Sequence, residues 1–185
     1  MPSTGAAKAY LCRFYDILDT MIAGMTRAQL TDSISHNFIV QMIPHHRAAI
    51  EMSESLLQYS KFTPLRRIAQ GIVTEQTRSI ADMEAVLGHC GEAVNTAQAL
   101  CRYQARFDRI ARVMFARMRD ACVGSDINGD FMRQMIPHHE GAIRMSKNAL
   151  EYPICPELRP ILEAIITSQE QGVAEMKALL ACLGC

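Results

Sequence analysis

Two pairs of adjacent histidines stand in this sequence, each at the end of the same pentapeptide. The sequence Met-Ile-Pro-His-His spans Met42 to His46 and returns from Met135 to His139. Imidazole nitrogens bind Zn, Cu, Fe and Ni, and thioether sulfur favours Cu(I). On a helix, a Met three and four residues before the paired histidines can reach either of them. The pentapeptides therefore predict a site for a soft metal, Cu(I) above all.

The two pentapeptides belong to a long internal repeat with a constant offset of 93 residues, since 131 − 38 = 93 for the matching phenylalanines. Without a gap, the same offset pairs Tyr10 with Tyr103 upstream and Met83 with Met176 downstream. The second half of the chain is thus a copy of the first. We expect a single all-helical domain over residues 1–185, made of two repeats (about 8–92 and 101–185) joined by a connector near 88–100.

Each repeat is expected to contain three helices, because apolar residues recur at steps of three and four. Nothing alternates with period two over a useful length, so strands are not expected. The third helix has a capping threonine followed by proline in its first turn, a common start signal. The expected bounds are Ser33 or Asn37 to Tyr59 for the second helix, Thr63-Pro64 to about Gly88–Gly91 for the third, and Pro156 to Gly184 for its copy.

A hairpin of the second and third helices cannot bury its apolar stripe alone. Two such hairpins related by a pseudo-twofold axis form a four-helix bundle, with the first helix of each repeat as an accessory helix. The same helical faces turn several His, Met and Gln side chains inward. The candidate metal-binding residues are His45, His46, His138 and His139 as primary ligands, Met42, Met52, Met135 and Met145 as assisting ligands, and Gln76, Gln169, Met83 and Met176 as residues lining the pocket.

A proline lies inside each histidine helix. Pro44 faces away from the inward stripe and leaves the carbonyl of Val40 without its usual partner, which predicts a kink beside the paired histidines.

Three functions fit these residues. The first is a non-catalytic metal-binding bundle that sequesters or transfers copper. The second is a structural or protein-interaction module in which a hydrogen-bonded His and Gln layer only fixes packing. The third and least favoured is a metal-dependent redox enzyme, since the sequence has no nucleophile elbow and no glycine-rich phosphate loop.

Seven cysteines are present, and none of them aligns between the repeats. An odd number without an export signal favours reduced thiols over a disulfide framework. If the twofold axis joined the ends of the two third helices, His89 and Cys90 would meet Cys182 and Cys185 in a thiolate–imidazole site or redox pair. Exposed free thiols at a frayed end are the favoured interpretation.

The charge balance and the hydropathy of the sequence indicate which classes of binding partner are not expected. Nineteen basic residues balance nineteen acidic ones, with no basic stripe, so nucleic acid and anionic membranes are not expected partners. No apolar run is typical of a secretory signal or a membrane span, which predicts a cytoplasmic location. A metal ion is the expected partner, and the sequence also allows a homo-oligomer.

The paired-histidine motif resembles that of a bacterial family known as domain of unknown function 305, which is placed in the ferritin-like superfamily. Its pattern Phe-x-x-x-Met-Ile-x-His-His-x-x-Ala-Ile-x-Met matches from Phe38 to Met52 and again from Phe131 to Met145. Its Pro-Glu-Leu-Arg matches Pro156 to Arg159, and more loosely Pro64 to Arg66. The resemblance implies a ferritin-like four-helix bundle, with copper handling among some relatives.

The departure from that family that bears most directly on a metal site lies in the third helix of each repeat. The glutamate of the family's Gln-x-x-Glu is replaced by Ser79 in the first repeat and by Gly172 in the second. If that glutamate binds a metal or orients a histidine, both halves of this chain have lost it.

Overall fold

The computed structural model describes residues 4–121 and 126–183, and within these ranges the chain forms six α-helices and no strand. This confirms the all-α prediction. The helices are α1 (Thr4–Thr26), α2 (Ile34–Tyr59), α3 (Thr63–Cys90), α4 (Ala97–Arg119), α5 (Ile127–Leu150) and α6 (Leu158–Leu183). None of the described helices is long and apolar enough to cross a membrane.

Local signals account for most of the helix ends. Ser33 caps α2, because its side chain accepts a hydrogen bond from the backbone N–H of His36. α3 begins at Thr63 with proline in its first turn, as predicted, and ends at Cys90. The predicted capping role of Thr63 is wrong, because the N-cap is Phe62 and no side chain caps this helix. α6 begins two residues later than predicted, at Leu158, because Pro156 and Glu157 form a turn.

The helix bounds follow the repeat of the sequence. α1 and α4 are related by 93 residues at both ends, since 97 − 4 and 119 − 26 give the same value. α2 packs on α3 and α5 packs on α6, giving two hairpins. The hairpins contact each other through α2 with α5 and α3 with α6, and α1 and α4 cover α2 and α5 as accessory helices.

The facing helices of the two hairpins run antiparallel. Pro64, at the start of α3, borders the same cavity as Leu179, near the end of α6. At the opposite end, His89 of α3 lies beside Glu157, just before α6. Buried residues from all six helices form one hydrophobic cluster, in which aromatic and methionine side chains are the largest: Tyr10, Phe14, Met21, Phe38, Met42, Tyr103, Phe107 and Phe131.

α1 and α2 approach closely at Pro44. A Cβ built on Gly24 would lie 2.8 Å from the Pro44 Cβ, so only glycine fits on α1 at this point. The proline ring therefore faces α1 and not the interior between the hairpins, as the sequence pattern predicts. The kink predicted at this proline stays a prediction, while α2 continues through the residue as one helix.

The structure corrects one expectation about cysteine and excludes the conditional meeting of Cys90 with Cys182. Cys90 and Cys155 form a disulfide between the two repeats, so the expectation of reduced thiols is wrong for this pair. The ends of α3 and α6 lie apart because the helices are antiparallel, and Cys90 meets the start of α6 instead. Cys12, Cys101 and Cys182 are exposed free thiols, whereas Cys122 and Cys185 lie outside the described residues.

Candidate metal centre

The inner histidine of each pair lies on the pseudo-twofold axis between α2 and α5. The imidazole rings of His45 and His138 stack with centroids 3.6 Å apart and an angle of 24° between their planes. His45 Nε2 lies 3.2 Å from the carbonyl oxygen of His138, and His138 Nε2 lies 3.1 Å from that of His45. Each inner imidazole therefore donates a hydrogen bond to the backbone that carries the other.

These reciprocal bonds fix the tautomer of both inner histidines. A carbonyl oxygen can only accept, so the neutral ring must carry its proton on Nε2. The lone pair is then on Nδ1. Within the described part of the chain, neither His45 Nδ1 nor His138 Nδ1 has a hydrogen-bond partner.

The outer histidines are buried but lack hydrogen-bond partners in the part of the chain that the structure describes. His46 is fully buried, yet neither of its ring nitrogens has a hydrogen-bond partner among the described residues. Those residues also provide no partner for His139 Nδ1, and the His139 ring is only 2% exposed. A buried imidazole without partners is costly, so a ligand that accepts its lone pair would offset that cost.

Each outer histidine borders a cavity in the seam between α3 and α6. The His46 cavity has a volume of about 350 Å³ and is also lined by Gln76 and Gln169. The His139 cavity has a volume of about 470 Å³ and is lined by Gly172. The amide oxygens of Gln76 and Gln169 have no hydrogen-bond partner within residues 4–121 and 126–183. Three side chains with unpartnered polar atoms therefore line the His46 cavity together.

The two cavities are related by the repeat and meet at the seam. Glu75 and Ser168, which are 93 residues apart, border both cavities. Asp82 borders the His46 cavity and its counterpart Glu175 borders the His139 cavity. No motif of the sequence singles out these residues. The offset alone could relate them in pairs, but only the antiparallel contact of α3 and α6 places them around the outer histidines.

Burial keeps all four imidazoles neutral. Desolvation lowers the pKa of His46 to about 3, with a smaller contribution from His138. Desolvation likewise lowers the pKa of His138 to about 4, against a backbone hydrogen bond at His45 that raises it. The pKa values of His45 and His139 are lowered well below the ordinary range, first by burial and then by the neighbouring imidazoles. Neutral imidazole is the form that binds metals.

The predicted methionines are all buried in the bundle. Met42 and Met135 stand one helical turn before His46 and His139, where side chains four residues apart are neighbours. The remaining predicted methionines are Met52, Met83, Met145 and Met176, and each is at most 2% exposed.

The four imidazoles do not converge on one point. Adjacent rings within each pair have centroids 5.8 Å apart. Among the described residues, the only group of three or more His, Cys, Asp or Glu ligand atoms all within 4.8 Å of one another is elsewhere, at His89, Cys155 and Glu157. A metal centre at the paired histidines is therefore better described as two half-sites, one for each outer histidine.

The position of the missing glutamate lies directly against an outer histidine. A Cβ built on Gly172 would be 3.1 Å from His139 Cδ2 and 3.3 Å from His139 Nε2. Since Gly172 has no side chain, this edge of the imidazole opens toward the cavity. Ser79, the counterpart in the first repeat, lines the cavity of His46. The departure from the family pattern thus changes the access to the outer histidines.

The fold and the paired histidines define a helical bundle with two buried imidazole pairs. The family described as "Domain of unknown function (DUF305)" matches residues 35–180, and the chain belongs to this family. A comparison with curated protein sequences finds no significant match.

Solved structures with the same fold agree with this assignment. A DUF305 fragment from Deinococcus radiodurans is 22% identical, with a TM-score of 0.59 over 83% of this chain and 97% of that one. CopM in a Cu(II)-bound form is 27% identical, with a TM-score of 0.61 over 80% of this chain and 97% of that one. CopM in an Ag-bound form, obtained by soaking, is 28% identical, with a TM-score of 0.60 over 80% and 96%.

Proposed function

We propose that this protein is a non-catalytic copper-binding helical bundle that sequesters or transfers the ion. The observation that carries the proposal is His46, a fully buried imidazole whose two ring nitrogens have no hydrogen-bond partner within the described residues. The Cu(II)-bound and Ag-bound forms of CopM support the choice of metal, because Ag(I) is a soft monovalent ion like Cu(I).

The residues present fit such an ion. Each outer histidine offers a ring nitrogen, and a methionine one turn earlier on the same helix can add a thioether sulfur: Met42 with His46, and Met135 with His139. Gln76 and Gln169 lie at the His46 cavity with unpartnered amide oxygens in the described chain. These oxygens can orient the imidazole or a bound water.

The inner histidines have a different role in this proposal. His45 and His138 use their Nε2–H groups on backbone carbonyls across the axis, so they hold α2 and α5 in register. The outer histidines follow directly in sequence, and the crossing of α2 and α5 therefore positions both half-sites. Of the four histidines predicted as primary ligands, the outer two would bind the metal and the inner two would position them.

A competition titration tests the proposal. The free thiols are first alkylated, and the protein is then titrated anaerobically with Cu(I) against a coloured chelator. The test variant carries His46→Leu and His139→Leu, which remove the unpartnered nitrogens but keep apolar volume. A matched control carries His36→Ala, which alters a partly buried histidine of the same helix.

The expected result is copper uptake by the wild-type protein and the control, with loss of uptake by the double variant. Circular dichroism and the melting temperature establish that the double variant is folded. Uptake by this folded variant equal to that of the wild type would show that the outer histidines are not ligands.

The second candidate function is a structural or interaction module in which the histidines only fix packing. The reciprocal hydrogen bonds and stacking of His45 and His138 favour this role for the inner pair. In that case the melting temperature of the wild-type protein would not change with copper, whereas binding to the native state alone must raise it.

A further inference from the structure

A second group of metal-ligating side chains lies far from the paired histidines in sequence, at the end of the bundle where α3 ends and α6 begins. It consists of His89 and Cys90 from the first repeat and Cys155 and Glu157 from the second. The disulfide joins residues 65 positions apart, with 5.2 Å between the two Cα atoms.

Three ligand atoms of this group already lie close together. His89 Nε2 is 3.3 Å from Glu157 Oε1, and Cys155 Sγ is 3.0 Å from Glu157 Oε2. A disulfide sulfur has no proton to donate, so the second distance is a contact that becomes an S–H···O hydrogen bond only after reduction. The ligand atoms of His89, Cys155 and Glu157 all lie within 4.8 Å of one another.

The group combines buried sulfur with exposed nitrogen and oxygen. Cys90 and Cys155 are 0% and 3% exposed, whereas the side chains of His89 and Glu157 are 67% and 52% exposed. The imidazole and the carboxylate can therefore rotate toward the two sulfur atoms from the solvent side. An ion would therefore approach the group from the side of His89 and Glu157.

The backbone around the two cysteines is held independently of the disulfide. Ser33 donates a hydrogen bond from Oγ to the carbonyl of Cys90 at 3.2 Å, and the Cys155 N–H donates to Ser35 Oγ at 2.9 Å. Asn95 binds across the same end, because its Nδ2 donates to the carbonyl of Pro153 at 2.7 Å. Reduction of the disulfide should therefore leave both sulfur atoms near their present positions.

We propose that reduction of the Cys90–Cys155 disulfide creates a Zn²⁺ site with two thiolates, the His89 imidazole and the Glu157 carboxylate as ligands. A dithiol reductant transfers two electrons and two protons to the disulfide and becomes a disulfide itself. Zn²⁺ then displaces the two thiol protons to solvent. A tetrahedral ion with Zn–S bonds near 2.3 Å needs sulfurs about 3.8 Å apart, which rotation of the cysteine side chains supplies.

The two states hold the repeats together by different means. In the oxidised protein the link between α3 and the start of α6 is covalent, and in the reduced protein it is the ion. Zinc suits the group better than copper, since thiolate, imidazole and carboxylate are its usual ligands in four-coordinate sites. This site shares no residue with the proposed copper site, and the failure of one proposal leaves the other standing.

An experiment can distinguish Cys90 and Cys155 from the other cysteines by alkylating the protein before the disulfide is reduced. Alkylation of the oxidised protein blocks every free thiol and spares the disulfide. A phosphine then reduces the disulfide to two thiols, consuming one water and forming the phosphine oxide. After removal of the reagent, Zn²⁺ uptake is measured against a coloured chelator, and Co²⁺ is added in parallel as a spectroscopic probe of thiolate coordination.

The expected result is one additional equivalent of Zn²⁺ taken up on reduction, and thiolate-to-cobalt charge-transfer absorption with Co²⁺. His89→Ala and Glu157→Gln alter exposed side chains and should each weaken binding at least about tenfold, because even outer-shell partners of a metal site contribute that much. Glu163→Gln, an exposed carboxylate on α6, is the matched control and should bind like the wild type.

Two results would overturn the proposal. Equal uptake by the oxidised and reduced proteins would show that the cysteines are not ligands. Uptake that depends on reduction but is unchanged in both His89→Ala and Glu157→Gln would show simple dithiol binding and no four-ligand site.

Discussion

At the scale of single residues, alanine substitutions at two glycines of one cavity can be compared. One substitution tests helix propensity alone, and the other also tests contact with a histidine. Gly71 and Gly172 both lie inside helices and both line the His139 cavity. A Cβ on Gly71 would meet nothing within 4 Å, whereas a Cβ on Gly172 would press against the His139 ring.

Gly71→Ala should therefore raise the free energy of unfolding by about 1 kcal/mol, the usual gain of Ala over Gly in a helix. Gly172→Ala should gain less than Gly71→Ala or lose stability, because the His139 imidazole must shift. Urea denaturation of the two variants measures the difference. Equal stabilisation by both substitutions would mean that the imidazole does not lie against α6 as described.

The buried imidazoles also make the stability of the metal-free protein depend on pH. Their pKa values in the folded protein lie below the value of about 6.5 in unfolded chains, so the unfolded state binds more protons at acidic pH. Above pH 6.5 both states are neutral at these groups, and the histidines contribute no pH dependence. As the pH falls from 6.5 to about 4, stability should fall, and each histidine kept neutral contributes about 1.4 kcal/mol per pH unit.

Urea titrations at several pH values measure this slope. The His46→Leu, His139→Leu variant has two fewer buried histidines, so its slope should be about half that of the wild type. An unchanged slope in that variant would assign the acid sensitivity to other groups.

At the scale of helices, the inner histidines have an unusual arrangement in which each side chain binds the backbone of the other residue. His45→Ala therefore leaves the hydrogen bond of His138 intact, because a carbonyl at position 45 is still present. Each single substitution should destabilise by at least about 1 kcal/mol, the usual contribution of one hydrogen bond, with a further loss from the cavity.

A double-mutant cycle with His138→Ala then isolates the stacking of the two rings. The coupling energy should be small, about 0.5–1.5 kcal/mol, as for other aromatic pairs. Chemical denaturation of the four proteins gives the cycle. A coupling of several kcal/mol would require that the two hydrogen bonds depend on each other, contrary to the geometry.

The helices themselves were largely predictable from the sequence. Apolar spacing and the Thr63-Pro64 start signal act within a few residues, so the second and third helices were placed to within a turn. The sequence predicts the start of α6 two residues too early, because the disulfide and turn at residues 155–157 depend on contacts with the other repeat. The hydrogen bonds of the inner histidines likewise depend on how α2 and α5 cross, which no local pattern specifies.

At the scale of the whole molecule, the repeat predicts a pseudo-twofold axis but not its direction. An axis parallel to the helices would join the ends of α3 and α6, and only under that condition would Cys90 meet Cys182. The structure has the helices antiparallel, and Cys90 therefore meets Cys155. Because neither cysteine has a counterpart in the other repeat, the offset of 93 residues carried no signal for the pair.

This direction of the axis also makes the disulfide a link between the repeats, with a measurable effect on stability. The bond closes a loop across 65 positions, and chain entropy assigns such a loop about 4 kcal/mol. Reduction, or Cys155→Ser, should lower the free energy of unfolding by up to this amount, whereas Cys12→Ser at an exposed free thiol should have little effect. Urea denaturation with and without a phosphine reductant measures this change in the free energy of unfolding.

In the reduced wild type, Zn²⁺ should restore part of the lost stability by binding the native state, and it should not do so in Cys155→Ser. A reduced protein as stable as the oxidised one would mean that the hydrogen bonds of Ser35 to Cys155 and of Asn95 to Pro153 already hold the repeats together without the disulfide.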